Sequence, residues 1–175
     1  MSISPVVFQN GQHFYDELAK TYTKHDKGLF ILAPSGAGKT HFCKAQTTPH
    51  WIDGDDLWTG AGAHPPVQWW TMGIEAINRI DQRSDVVTME AMLQGFWIIG
   101  ASNYWLKPDA IVIPDRDTHI SYIKHRQENN YDGGATVDAL EQVWGHIEVI
   151  ERWHTEHDVP QFQSIEEAVK NLTKN

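Results

Sequence analysis

Apolar and polar positions along the chain separate into short apolar runs joined by stretches with helical spacing. Residues 1–10 show no period and read as an irregular or extended lead-in. From about Asn10 to His25, Phe14, Leu18 and Tyr22 recur every four residues, which predicts an amphipathic helix. Leu29 to Ala33 are all apolar, a run suited to a strand buried on both faces, and Pro34 stops it. A helix is expected from near Lys39, fading before Pro49, and His50-Trp51-Ile52-Asp53 then begins a short strand that ends in carboxylates. Residues 58–64, WTGAGAH, read as a loop, and Pro65-Pro66 start a helix running to about Arg83.

The stretch from Ser84 to Pro114 divides in two ways. In one, Asp85 to Glu90 is the third strand and residues 92–106 form a helix leading to the strand Ala110–Ile113. In the other, Phe96-Trp97-Ile98-Ile99 is the strand, which leaves only about ten residues before the next one. Parallel strands need a crossover of at least ~10–12 residues, usually helical, so the first division is preferred. It places Gly95 and Gly100 inside a helix, at roughly 1 kcal/mol each. It also puts Glu90 at a strand end.

Asp115-Arg116-Asp117-Thr118 leads into a helix through Ile120, Tyr122, Ile123 and Arg126, followed by a polar turn from Gln127 to Gly134. A long helix runs from Thr136 to about His157, with Leu140, Val143, Trp144, Ile147 and Ile150 on its apolar stripe. Pro160 ends it, and Phe162 begins a fifth strand. Ser164-Ile165-Glu166-Glu167 has the capping-box pattern, so the last helix starts there. Strands alternating with helices predict an α/β domain with five parallel strands and helices on both faces.

Composition narrows this picture. A chain of 175 residues suits one domain with a sizeable core. Fourteen basic against 23 acidic side chains give a formal charge of −9, which weighs against a protein that lives by gripping nucleic-acid phosphates. The lone Cys43 cannot form an intramolecular disulfide, no charged-then-apolar leader opens the chain, and no apolar run approaches the ~18 residues of a membrane helix. An intracellular, cytoplasmic location without membrane association is therefore expected. Of eight tryptophans, Trp69, Trp70, Trp97, Trp105, Trp144 and Trp153 sit mostly among apolar neighbours, where packing is the plain reading and base stacking the functional one.

The chemistry concentrates after the first strand. Ser35-Gly36-Ala37-Gly38-Lys39-Thr40 closes on the Gly-Lys-Thr of a P-loop. Glycines let successive N–H groups point into one concavity, and the following helix adds the positive end of its dipole. A triphosphate supplies the missing acceptors. Lys39 would reach its β- and γ-phosphates and the Thr40 hydroxyl would ligate Mg²⁺. The usual pattern opens with Gly, where this chain has Ala33.

Asp53, Asp55 and Asp56 lie beyond a strand's carboxyl end, where open α/β sheets bind ligands. They could hold Mg²⁺ through water, accept a hydroxyl proton, or bind substrate hydroxyls. Glu90, at its strand end, could likewise support Mg²⁺ or its water. Trp58, His64, Trp69, Trp70 and Arg79 are candidates for substrate contact in a covering segment over 58–83. Arg116, Lys124 and Arg126 suit a lid over 115–135 that offsets charge on a transferring phosphoryl group. His154 and His157 flank Glu156 without completing a zinc pattern.

From about residue 28 to 172 the chain resembles the small P-loop kinases of nucleoside monophosphates and metabolites. SGAGKT carries the likeness to nucleotide-phosphate binders, and IDGDDL resembles the substrate-side motif of gluconate, shikimate and adenylylsulfate kinases. His64-Pro65-Pro66 is similar to a gluconate kinase feature, although six residues, 58–63, separate it from DGDDL here. The resemblance implies a three-layer P-loop NTPase fold, with residues 1–27 as an N-terminal helical extension. It implies ATP and Mg²⁺ as cofactors and a carboxylate of Asp53 or Asp55 that orients or deprotonates the acceptor, Asp55 being preferred over Asp56. Arg116 and Arg126 would be the lid arginines, in an enzyme that is a monomer or homodimer. Only Arg79 and Arg83 are basic in residues 50–83, too few for a sugar-acid pocket, which favours a nucleotide-type acceptor. An alternative resembles phage enzymes that phosphorylate hydroxymethylated pyrimidines within DNA, working in a host cytoplasm. A third is an ATP-binding regulatory or toxin-like module without transfer.

Overall fold

The computed structural model describes residues 14–128 and 140–174. Its elements in order are α1 (Phe14–Thr21), β1 (Leu29–Leu32), α2 (Lys39–Lys44), β2 (Trp51–Asp53), α3 (Gly54–Gly60), a 3₁₀ turn (Trp69–Thr71) and α4 (Ile74–Leu93). There follow β3 (Trp97–Gly100), β4 (Ala110–Val112), α5 (Arg116–Glu128), α6 (Leu140–His157), β5 (Gln161–Phe162) and α7 (Ile165–Leu172). Five parallel strands form one sheet in the order β2-β3-β1-β4-β5, with Ile31 beside Ala110, Trp51 beside Trp97 and Ile111 beside Gln161. Every residue of β1, β2 and β4 is buried, as a parallel sheet requires. The chain is α/β, with seven α-helices among the described residues. Among those residues no helix is long and apolar enough to cross a membrane.

The chain divides into two compact units. The first comprises the described residues up to Phe30 together with Cys43–Leu106, and the second Ile31–Phe42 together with the described residues from Lys107 onward. In the first, Phe14, Leu18 and Tyr22 of the predicted N-terminal helix are buried, as their spacing requires. Trp51, Ile52, Leu57, Trp58, Phe96, Ile98 and Ile99 make up much of the rest of its core, and Cys43 is buried and in no disulfide. In the second, Ile111, Ile123, Ile150, Val159, Ile165 and Ala168 are fully or nearly fully buried. The Ser164 side chain accepts from Glu167 N at 3.1 Å, which starts α7 where the capping pattern places it.

The third strand is the main correction. Residues 85–90 are helical, inside the 20-residue α4, and the strand is Trp97–Gly100. The buried stripe of α4 is Ile80, Ser84, Asp85, Thr88 and Ala91, spaced for a helix but mostly polar or small, so hydrophobicity does not reveal it. Each hydroxyl on it is satisfied within the helix. Ser84 Oγ donates to Ile80 O and Thr88 Oγ1 to Ser84 O, both at 2.8 Å. Gly95 lies not within a helix but after one, at φ +92°, with Gly95 N donating to Met92 O and Phe96 N to Ala91 O, the paired bonds of a Schellman cap. The connection from Gly100 to Ala110 contains no helix. Its nine residues can reach ~30 Å, so the crossover minimum that favoured the other division does not apply to it.

Two further expectations change. Asp55 and Asp56 follow the end of β2 as expected, in the first turn of a short helix, α3, and Trp58 belongs to that helix instead of the 58–64 loop. Pro65-Pro66 does not open a helix; α4 begins nine residues after Pro65, at Ile74. The lead-in over residues 1–10, the polar turn beyond Glu128 and the predicted helix start at Thr136 lie outside the described residues.

Trp58 is fully buried, and its Nε1 donates to Thr88 Oγ1 at 2.9 Å, tying α3 to α4. Its ring lies over two glycines. A Cβ at Gly54 would come within 2.6 Å of it, and one at Gly100 would run into it. Gly100→Ala is therefore expected to destabilise the protein by roughly 1–3 kcal/mol through overpacking. Gly145→Ala on α6, where an added Cβ meets nothing within 4 Å, should gain up to about 1 kcal/mol. Urea denaturation of both variants checks the pair, and equal midpoints would contradict the packing argument.

Candidate functional site

In the second unit β1 hands the chain to a turn through Ala33, Pro34, Ser35, Gly36, Ala37 and Gly38, and α2 begins at Lys39. Gly36 and Gly38 have φ +82° and +93°, left-handed conformations that L side chains rarely adopt. Ala33, where the motif usually has Gly, is buried just after β1, before the left-handed positions. Lys39 is buried, and its Nζ donates to Pro34 O at 2.7 Å, so the ammonium folds back over the turn that it follows. Ala37 N donates to the same carbonyl at 3.3 Å. Thr40, half-buried, is the second residue of α2.

Helix α5 closes on this turn. His119 is fully buried, with its Nε2 2.6 Å from Ser35 O, and a Cβ at Gly36 would lie 2.6 Å from Ile123 Cγ1. Asp115 caps the helix, accepting from Thr118 N at 3.1 Å and Thr118 Oγ1 at 2.6 Å, and the Thr118 hydroxyl bond holds its carboxyl below the usual range. Arg116 is exposed, and its guanidinium lies 4.2 Å from the centre of the Trp144 ring on α6, a cation–π contact. Arg126 is on α5, but its side chain lies outside those described.

In the first unit the acids at the end of β2 divide by environment. Asp53 is buried and caps α3, accepting from Asp55 N at 3.1 Å. Asp55 is exposed. Asp56 is half-buried, and burial, followed by the charges of Asp53 and Asp55, pushes its carboxyl up to about 6 against the pull of Lys44.

Several sequence-derived contacts are placed elsewhere. Trp58 is sealed in the core, so it does not line a surface for substrate. His64 is buried too, its ring 5.0 Å from that of Trp58 and 4.7 Å from that of half-buried Trp69. Trp70 is exposed, packed edge-on against Trp69. Glu90 is on the exposed side of α4 rather than at a strand end, and accepts from Tyr15 Oη at 2.8 Å. Its case as a metal ligand rested on that strand end and falls with it. Among the described residues no three His, Cys, Asp or Glu side chains group as a metal site.

Arg79 lines a cleft of about 780 Å³ with Arg83, Pro65, Met72, Val86 and Trp105. Behind it lies a polar network that sequence spacing does not reveal, because its members are 17 to 38 residues from His64. His64 Nε2 is 2.9 Å from Ser84 Oγ and 3.1 Å from Ser102 Oγ, and the Ser102 hydroxyl also bonds Asp81. Asp85, buried on α4, accepts the backbone N–H groups of Tyr104, Trp105 and Leu106 at 2.8, 2.5 and 3.0 Å. That carboxylate anchors the segment carrying Trp105, whose exposed ring is held by its own main chain. The only signal available was an acid, Asp85, at the head of an apolar stretch that reads as strand, one turn after Asp81.

No protein-family model matches the chain, and no curated protein matches it.

The buried network has opposed pH responses. Burial lowers His64 to about 4. It raises Asp81 to about 7, opposed by the Ser102 hydroxyl and reinforced by Asp85. The unfolded chain binds the His64 proton first, so that group loses stability as pH falls from 6.5 towards 4. The folded chain binds the Asp81 proton more tightly, so that group loses stability as pH rises from 3.8 towards 7. Asp81→Asn should therefore raise stability at pH 8 by roughly 2–4 kcal/mol while changing little near pH 4. Urea titrations at the two pH values test this, and an equal change at both would refute it.

Proposed function

We propose that the protein is an ATP- and Mg²⁺-dependent phosphotransferase of the small P-loop kinase type, with the three-layer fold of that class and a nucleotide-type acceptor. The observation that carries this reading is the turn after β1, where two glycines at left-handed φ precede a lysine whose ammonium folds back onto the Pro34 carbonyl at 2.7 Å. A cation there, followed by a helix, suits the β- and γ-phosphates of ATP, towards which Lys39 would exchange its carbonyl partner. Thr40, the residue after Lys39, carries a hydroxyl, the oxygen type of ligand that Mg²⁺ prefers. When bound, Mg²⁺ would neutralise charge developing on the phosphate oxygens.

On the acceptor side, Asp55 is the carboxylate left exposed, whereas Asp53 is committed to capping α3. Asp55 is the proposed group that orients or deprotonates the acceptor. The cleft with Arg79, Arg83 and Trp105 combines two guanidinium groups and an aromatic face, and neither arginine pairs with a carboxylate among the described residues. That chemistry suits an anionic, planar acceptor. A base presented within a DNA strand is the second reading. It is favoured by the exposure of Trp70, Tyr104 and Trp105, aromatic faces of the kind on which successive bases stack.

Lys39→Ala should lower acceptor-dependent ATP turnover by at least about 100-fold while circular dichroism stays unchanged. The acceptor panel should span nucleoside monophosphates and hydroxymethyluracil-containing DNA, with Asp55→Asn measured beside it. A Lys39→Ala protein that still transfers phosphate would overturn the assignment, and ATP turnover independent of every acceptor would point to a binding module.

A further inference from the structure

His119 stands 84 residues from the carbonyl that it meets and lies in no motif. A carbonyl can only accept, so the contact between His119 Nε2 and Ser35 O at 2.6 Å requires the proton on Nε2. Burial, and then the nearby Lys39 cation, hold the imidazole below its usual pKa against the Ser35 carbonyl, so the ring is neutral. Its Nδ1 consequently carries only a lone pair, and among the described residues that buried atom has no partner. A neutral, fully buried ring of this kind contributes one bond, and that bond goes to the turn.

The geometry of the peptide unit transmits this bond. The described chain has no cis peptide, and across a trans peptide the C=O and N–H point in opposite directions. A Ser35 carbonyl held towards α5 therefore directs the Gly36 N–H away from α5. The other side of the residue is closed as well, since a Cβ at Gly36 would lie 2.6 Å from Ile123 Cγ1 and 3.1 Å from His119 Nε2. Gly36 is pinned at φ +82° between a hydrogen bond on the peptide before it and a packed helix against its Cα. Without a donor at position 119 the Ser35 carbonyl loses its bond to α5, and the peptide is free to turn over, taking the Gly36 N–H with it.

We propose that His119 is a positioning residue for nucleotide phosphate, its Nε2–H setting the Ser35–Gly36 peptide so that the Gly36 N–H is presented as a phosphate donor. This rests on the phosphotransferase reading above. It adds that the donor array is set by α5, so that occupancy of the turn and the seating of that helix are coupled.

The test compares wild type with His119→Ala, His119→Gln and His119→Asn by titration with the fluorescent nucleotide mant-ATP in Mg²⁺, alongside thermal unfolding. The Gln amide nitrogen falls near the place of Nε2 and restores the donor; the Asn amide is too short. His119→Ala and His119→Asn should weaken binding about tenfold or more, as loss of one buried hydrogen bond implies, while His119→Gln stays within about threefold. A purely structural role would track side-chain volume and unfolding temperature instead. Should His119→Ala fail to fold, the contrast between Gln and Asn decides the matter. Equal binding by all variants, or a Gln variant as poor as the Asn one, would overturn the proposal. Wild type that ignores mant-ATP sinks the phosphotransferase reading itself. The Gly36 amide resonance of the ligand-free protein then tests the peptide lock alone, which stands if His119→Ala shifts it and His119→Gln restores it, and falls if neither moves it.

Discussion

A parallel sheet buried on both faces leaves its backbone groups in need of partners wherever the chain quits the ladder. That constraint organises both units. Water is scarce at such places, and an unpaired peptide group costs about 1–3 kcal/mol, so side chains brought from elsewhere do the pairing. After β1, Pro34 O takes the Lys39 ammonium and Ser35 O takes His119. After β2, Asp53 pairs the first turn of α3, and after β3 the Asp85 carboxylate gathers three successive N–H groups. Each arrangement is a solution to backbone satisfaction before it is anything else. The proposed chemistry reuses the first of them, since a phosphate chain offers Lys39 a stronger partner than a carbonyl.

This constraint also explains how far the fold could be read from the chain. Strands β1, β2 and β4 were legible because parallel strands are apolar throughout, and α7 because its cap is local. Helix α4 was not, because its buried face is built from Ser84, Asp85 and Thr88, whose burial depends on partners in Trp58, His64 and residues 104–106. Periodicity counts apolar residues, and a satisfied polar stripe is silent to it. Val86 and Val87, which look like strand, are exposed and half-buried on the same helix. Gly95 did carry the boundary in the sequence. It reads as a cost inside a helix and as a stop after one, and only the second agrees with its left-handed backbone.

The candidate site divides along the same line. Gly36, Gly38, Lys39 and Thr40 are contiguous, so their geometry follows from one turn and was visible in the motif. His119 contributes through the fold alone, and no spacing rule connects it to Ser35. Trp58 and His64 were misread for the complementary reason. Aromatic and imidazole side chains near an acidic strand end suggest ligand contact, yet here they fill a core in which Gly54 and Gly100 leave room for an indole. Trp58 Nε1 and His64 Nε2 are bonded inside the protein, so neither of those atoms is left to meet a substrate.

Which aspartate would serve the acceptor follows from the same accounting. Asp53 has the position that strand ends reserve for ligand binding, but its side chain is buried and accepts from Asp55 N, so turning it to an acceptor would uncap α3 at about 1 kcal/mol. Asp56 is pushed up to about 6 by burial and by its neighbours, which makes it the more basic carboxylate, but it is half-buried and so less open to an acceptor than Asp55. Asp55 is exposed on the first turn of α3, and its side chain is not the cap of that helix. The two acids beside it are coupled to it. Asp53 fixes the backbone from which it projects, and the charges of Asp53 and Asp55 are part of what raises Asp56.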